Sequence, residues 1–148
     1  MRHSTASVIL DGTPATHREN LAWAAGIVDG EGYTFVQDQK HQLKNGEIRH
    51  YQSLNLCVRQ ADDYGVPDML SRLSNIFGPV RPRINGPYLT GKHIINYYDW
   101  RLQGFEKTQF AVAQLWTWLG PVKRHQAVAA FIDYCGRLER RRAAAVLA

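Results

Sequence analysis

The segment Leu21-Ala22-Trp23-Ala24-Ala25-Gly26-Ile27-Val28-Asp29-Gly30-Glu31-Gly32 constrains the fold more than any other part of this 148-residue chain. Ala22, Gly26 and Gly30 recur every four residues, so on a helix they form one stripe with nothing larger than a methyl group. Each glycine costs a helix about 1 kcal/mol relative to alanine. Close approach by another backbone is the usual compensation, as in helix pairs joined through small residues. Ala24, Ile27 and Val28 can point into the chain's own core. Asp29 and Glu31 fall where the helix ends. Two carboxylates at a helix C-terminus oppose its dipole, and a bound metal cation is a good reason for them to be there.

Signals on either side extend this into a full element order. Thr16-His17-Arg18-Glu19 has capping-box spacing, so a helix starts near His17 and runs toward Asp29. Tyr33 to Lys40 reads as a strand, and Asn45-Gly46 as a hairpin turn. Beyond it Leu54, Leu56 and Val58 alternate with Ser53, Asn55, Cys57 and Arg59; the first set faces the core and the second the opposite side. Pro67 opens a second helix, closed by Gly78-Pro79, whose apolar face is Met69, Leu70, Leu73, Ile76 and Phe77. A second strand pair, Val80 to Ile84 and Ile94 to Leu102, is expected around a turn rich in Asn, Gly and Pro. In its outgoing strand Tyr98, Trp100 and Leu102 take one face, and Tyr97, Asp99 and Arg101 the other. Helices from about Phe105 to Trp118 and Val122 to Arg142 follow, broken at Gly120-Pro121. The order α-ββ-α-ββ-α-α predicts an α+β domain with helices on one side of an antiparallel sheet. Residues 1–15 lack periodicity and are expected to be a loosely held arm, residues 16–142 the domain, and 143–148 a C-terminal tail.

Composition narrows the function classes. The chain is 45% hydrophobic and 21% charged, an ordinary globular balance. No apolar run approaches the roughly 18 residues of a membrane span, and no secretory signal is expected. Cys57 and Cys135 form no paired motif, so a reduced, cytoplasmic or organellar setting is the simple expectation. The net charge of +5 points weakly to polyanions. Its distribution is uneven: residues 1–32 carry a net −2, residues 33–103 a net +3 and residues 104–148 a net +4. The arginines between Arg137 and Arg142 read as a solvated helix end, where cations suit the dipole.

One face of the expected sheet packs on helices. The other displays Gln37, Gln39, Ser53, Asn55, Arg59, Arg81, Arg83, Asp99 and Arg101. Taken singly, each is ordinary solvated sheet surface at least as readily as a contact. Together they are rich in the side chains that hold phosphates and read base edges. A two-stranded ribbon fits the major groove, and eight strand residues cover about 26 Å, or roughly eight base-pair steps.

The nine residues Ala24 to Gly32 resemble the LAGLIDADG motif, with Ala24 in place of the first Leu and Glu31 in place of the usual second Asp. The flanking element order is similar over roughly residues 16–135. Gln60 resembles the family's polar active-site residue at the end of the second strand. Val80-Arg81-Pro82-Arg83 resembles its basic third strand, and Pro121 to Ala127 the segment that delivers its active-site lysine, here Lys123. The resemblance implies a homing endonuclease that cuts both strands of double-stranded DNA. It further implies Mg²⁺ or another divalent cation held by Glu31 and its symmetry mate, with the Gly30 carbonyl a plausible further ligand. Asp29 is either a ligand or a structural support of the helix end. Lys123 would stabilise developing phosphate charge or orient water, and Gln60 would order the solvent shell. With a single motif the chain would work as a homodimer, packed through Ala22, Trp23, Gly26 and Gly30, on a long pseudo-palindromic site.

Other signals read as structure. The six histidines show no ligand spacing, and Trp116 and Trp118 read as core or helix packing. Gly30-Glu31-Gly32 lacks the third glycine and preceding strand of a dinucleotide loop, so no nucleotide cofactor is expected. A non-catalytic binder on the same scaffold, an RNA maturase or transcriptional regulator, is the alternative to the enzyme.

Overall fold

The computed structural model describes residues 9–10, 13–89 and 95–148. Two short strands, β1 (Ile9–Leu10) and β2 (Thr13–Pro14), pair with each other within the expected arm. The domain itself starts at α1 (His17–Glu31). Its capping box is complete: the Glu19 amide donates to the Thr16 hydroxyl at 3.2 Å, and the Thr16 amide to the Glu19 carboxylate at 2.6 Å. Those bonds hold the Glu19 carboxyl below the usual carboxylate range.

Strands β3 (Gly32–Gln42) and β4 (Ile48–Ala61) form a long hairpin that turns at Asn45-Gly46 as expected. Gly46 takes a φ of 84°, a region that favours glycine, and the Asn45 side chain accepts from the Glu47 amide at 3.0 Å. Helix α2 (Asp68–Ile76) follows Pro67. A single 3₁₀ turn, Gly78–Val80, leads into β5 (Arg83–Leu89). β6 (Asn96–Gln103), α3 (Phe105–Leu115) and α4 (Pro121–Leu147) complete the chain. The four long strands are antiparallel in the order β3-β4-β6-β5.

Helices α1, α2 and α3 cover one face of this sheet. Leu54, Leu56 and Val58 from β4, Trp100 and Leu102 from β6, and Leu70, Leu73 and Phe77 near α2 are fully buried against Leu21, Ala24, Ala25 and Val28 of α1. Ala111, Leu115 and Leu119 close the core from the other side. Ala24 and Ala25 have no exposed surface, so these two positions admit only small residues between Leu21 and Val28. Thr108, also fully buried, donates its hydroxyl proton to the Leu54 carbonyl and fixes α3 to β4.

Helix α4 runs beside β3 and continues through residues 143–147, where a tail was expected. Its later turns brace the far part of the hairpin from behind. Arg137 donates to Asp38 of β3 at 2.7 Å and to Asp133 one turn back at 2.9 Å. Arg141 donates to the His50 carbonyl. Gln52 and Arg137 hold the Asp38 carboxyl below its ordinary range, and Arg137 does the same for Asp133. Arg137 and Arg141 therefore spend their charge on the hairpin instead of standing as a free basic end. Among the described residues no helix is long and apolar enough to cross a membrane.

Two boundaries differ from expectation. The fifth strand begins at Arg83, because Gly78-Pro79-Val80 winds into the 3₁₀ turn, with the Val80 amide donating to the Phe77 carbonyl and the Arg81 amide to that of Gly78. Arg81 caps that turn with a left-handed φ of 53°, so it is not a strand residue. Asn85-Gly86-Pro87, expected as the turn, lies within β5, where the register to β6 shifts between Asn85 and Tyr88. Ile94, the expected start of the outgoing strand, lies outside the described residues.

Candidate active site and nucleic-acid interface

The acidic end of α1 is built by three elements. Helix α1 passes without a loop into β3 at Gly32, whose backbone is extended. A Cβ at Gly32 would lie 2.8 Å from Val28, so only glycine permits this tight exit. The start of α4 is fastened against the same point. The amide of Gly120, which caps α4, donates to the Asp29 carboxylate at 2.8 Å. Lys123, in the first turn of α4, donates from Nζ to the Gly32 carbonyl. The lysine thereby supplies the positive charge that the C-terminal end of α1 calls for.

Glu31 stands beside these contacts, exposed, and makes no side-chain hydrogen bond among the described residues. Asp29 is committed to the α4 cap while Glu31 is not. Gly30 belongs to the last turn, where helix carbonyls lack intrahelical donors. Val58 of β4 pairs with Gly32, so Gln60 sits two residues further along the same face of β4, about 6.6 Å on. The fold thus gathers Asp29, Gly30, Glu31 and Lys123 at one point, with Gln60 on the adjacent strand end. Among the described residues no three carboxylate, histidine or cysteine groups form a metal cluster. One copy contributes a single uncommitted carboxylate. That suits Mg²⁺, which uses one or two carboxylates and takes its other ligands from water and phosphate.

The stripe of small residues lies on the opposite side of α1 from the core. Gly26 and Gly30 are exposed, and a Cβ at either would meet nothing within 4 Å. No described element of this chain supplies the close approach that two helical glycines call for. Trp23 differs from the stripe: it packs against the chain's own core, with the Arg72 guanidinium 3.8 Å from its ring centroid. Of the two tryptophans expected as core or helix packing, Trp118 packs against the core, and Trp116, 38% exposed under Arg124, lies between α3 and α4.

The face of the sheet away from the helices is polar on an aromatic floor. Tyr33 and Phe35 stack at 5.1 Å, and the Tyr88 and Tyr97 rings lie tilted to each other at 5.3 Å. Arg59 lies 4.2 Å from the Tyr97 centroid and Arg101 5.6 Å from that of Phe35. Burial pushes the Tyr33 hydroxyl up to about 12 and raises the Cys57 thiol as well. Gln37, Gln39, Ser53, Arg59, Arg83 and Arg101 share this face in the strand register. Asn55 and Asp99 share the register but lie beneath the surface, at 0% and 4% exposure. Asn55 donates to Gln37 and Ser53. Asp99 accepts from Arg59 at 2.8 Å and is paired with Arg101 at 3.5 Å. Both were expected as surface contacts; both instead hold their neighbours. Arg81 reaches the same face from its turn and lines, with Arg83, Arg101 and Lys107, a cleft of about 400 Å³. Four cations and no carboxylate line it.

No model of a protein family matches the sequence, and no curated protein does. Solved structures do match. The chain is similar to the homing endonuclease I-CvuI in complex with its target, at 20% identity and a TM-score of 0.57, over 75% of this chain and 62% of that one. It is similar to the LAGLIDADG meganuclease I-AabMI bound to uncleaved DNA, at 18% identity and a TM-score of 0.53, over 82% of this chain and 37% of that one. The chain has the LAGLIDADG homing-endonuclease fold.

Sequence reasoning missed part of this fold's open face. Tyr33, Phe35, Asn85, Tyr88 and Gln103 occupy it, and period-two counting back from Gln37 or on from Arg101 would have found three of them. Lys107 had no such signal, since it enters the cleft from the first turn of α3.

Proposed function

We propose that this chain is a LAGLIDADG-family, sequence-specific DNA endonuclease that works as a homodimer with Mg²⁺ or a similar divalent cation. The observation that carries the proposal is the uncommitted Glu31 carboxylate at the end of α1, with Lys123 held at the adjoining Gly32 carbonyl, on a sheet whose open face carries a cationic cleft. The solved relatives in fold support it: I-CvuI is in complex with its target in the presence of calcium, and I-AabMI is bound to uncleaved DNA.

Two copies would join through the stripe of Ala22, Gly26 and Gly30, whose two glycines are exposed, bringing their α1 ends together. Each Glu31, with the Gly30 carbonyl, would hold a cation. The cation when bound supplies positive charge beside the scissile phosphate and eases deprotonation of water. Asp29 fixes the start of α4, which in turn places Lys123 to stabilise charge developing on the phosphate. Gln60 would orient solvent from the end of β4. Arg59, Arg83, Arg101 and Lys107 would hold the duplex across the open sheet face, with Gln37, Gln39 and Ser53 at its other side.

Selection of cleaved sites from a randomised duplex library in Mg²⁺ tests the reading. A defined cut sequence is the expected result. Absence of any cut product, with tight binding to structured RNA, would replace the enzyme with a maturase on this scaffold.

A further inference from the structure

Asp99 sits in the middle of β6 on the face proposed to meet DNA, yet only 4% of it is exposed. A carboxylate there would repel phosphates, and at base edges it can accept only from a donor such as the cytosine amino group. Both of its oxygens are already engaged. Oδ1 accepts from Arg59 Nε at 2.8 Å, and Oδ2 from Arg59 Nη2 at 3.3 Å, with Arg101 Nη2 at 3.5 Å. Each guanidinium is also held a second time, Arg59 over the Tyr97 ring and Arg101 by donation to Gln37 Oε1 at 3.2 Å. Arg59 keeps about half of its side chain exposed.

Donor geometry specifies what Arg59 has left. Its Nε and one Nη2 hydrogen face Asp99. The Nη1 hydrogens and the second Nη2 hydrogen have no partner among the described residues. That remaining end-on edge is a pair of parallel N–H groups, the arrangement that matches O6 and N7 of a guanine in the major groove. An arginine held beforehand also loses less rotamer freedom when it binds.

We propose that Asp99 is a positioning residue for base recognition: it touches no DNA, and it fixes Arg59 and Arg101 so that Arg59 reads a guanine. This rests on the DNA-binding function proposed above. The test compares the full-length wild type with Asp99→Asn and Arg59→Lys for binding to a double-stranded library with randomised positions, alongside thermal melting of each protein. Wild type should enrich a site with a guanine preferred at a defined position in each half. Asp99→Asn and Arg59→Lys should lose that preference by about tenfold or more, at the same position. For Asp99→Asn the affinity for unselected duplex should stay within a few-fold of wild type or rise, because the change removes a negative charge. An unchanged base preference in Asp99→Asn overturns the proposal. So does a uniform loss of affinity for all sequences that tracks a loss of folded protein. Should Asp99→Asn fail to fold, Arg59→Lys decides, since it alters a half-exposed side chain; retained guanine preference there overturns the reading. A wild type that enriches no sequence overturns the DNA-binding reading itself, and the role of Asp99 with it.

Discussion

At the end of α1, two carboxylates two residues apart have opposite duties. Asp29 accepts the Gly120 amide and so belongs to the structure, while Glu31 makes no such bond. Replacing Asp29 with Ala should cost about 1 kcal/mol of folding stability, the worth of a helix-capping contact. Asp29→Asn, which keeps an acceptor oxygen, should cost less than half as much; denaturant midpoints of the two variants check this. The sequence shows that an acidic pair closes a helix, and it admits a structural role for Asp29. It cannot show which acid is committed, because the partner lies 91 residues away at Gly120. Lys123, equally remote, was assigned through the family resemblance and not through any local pattern. Its placement at the Gly32 carbonyl brings it to the acidic helix end.

Elements were legible where one period dominates. Capping at Thr16, the Asn45-Gly46 turn and the alternation through Leu54, Leu56 and Val58 all lead to the observed α1 and β3–β4 hairpin. The Asn85-Gly86-Pro87 stretch misled because its turn residues serve a different purpose. Gly86 has a φ of 134°, and a Cβ on it would lie 2.8 Å from the Tyr97 carbonyl. There the glycine lets β5 approach β6 where the register shifts. Gly86→Ala should therefore destabilise the chain by about 1–3 kcal/mol, read as a lowered thermal midpoint. Asn55 and Asp99 misled for a related reason. Strand alternation gives the face but not the depth, and here long arginine and aromatic side chains roof the open face without any helix above it.

At the scale of the whole molecule, the helices use one side of the sheet, and the cationic open face and the small-residue stripe of α1 stay uncovered among the described residues. The stripe offers a clean separation of folding from association. A Cβ at Gly26 meets nothing in its own chain, so Gly26→Ala should stabilise an isolated chain by up to about 1 kcal/mol. Gly26→Leu should leave that chain folded, as circular dichroism would show, yet convert a dimer to a monomer in sedimentation equilibrium. A wild type that sediments as a monomer would remove the proposed shared centre. The α+β class and element order were readable from periodicity together with capping and turn signals. The joining of α1, β3 and α4 into one acidic corner was not, because it depends on contacts between distant segments.

The central claim is that Glu31 holds the catalytic cation. Its most direct test is cleavage of a selected duplex site in Mg²⁺ by the Glu31→Gln variant, with DNA affinity and dimerisation measured on the same protein. Cleavage should fall below detection while binding, association and melting temperature stay close to wild type, because the side chain is exposed and makes no hydrogen bond within the described structure. Cutting at the wild-type rate by Glu31→Gln would contradict the account.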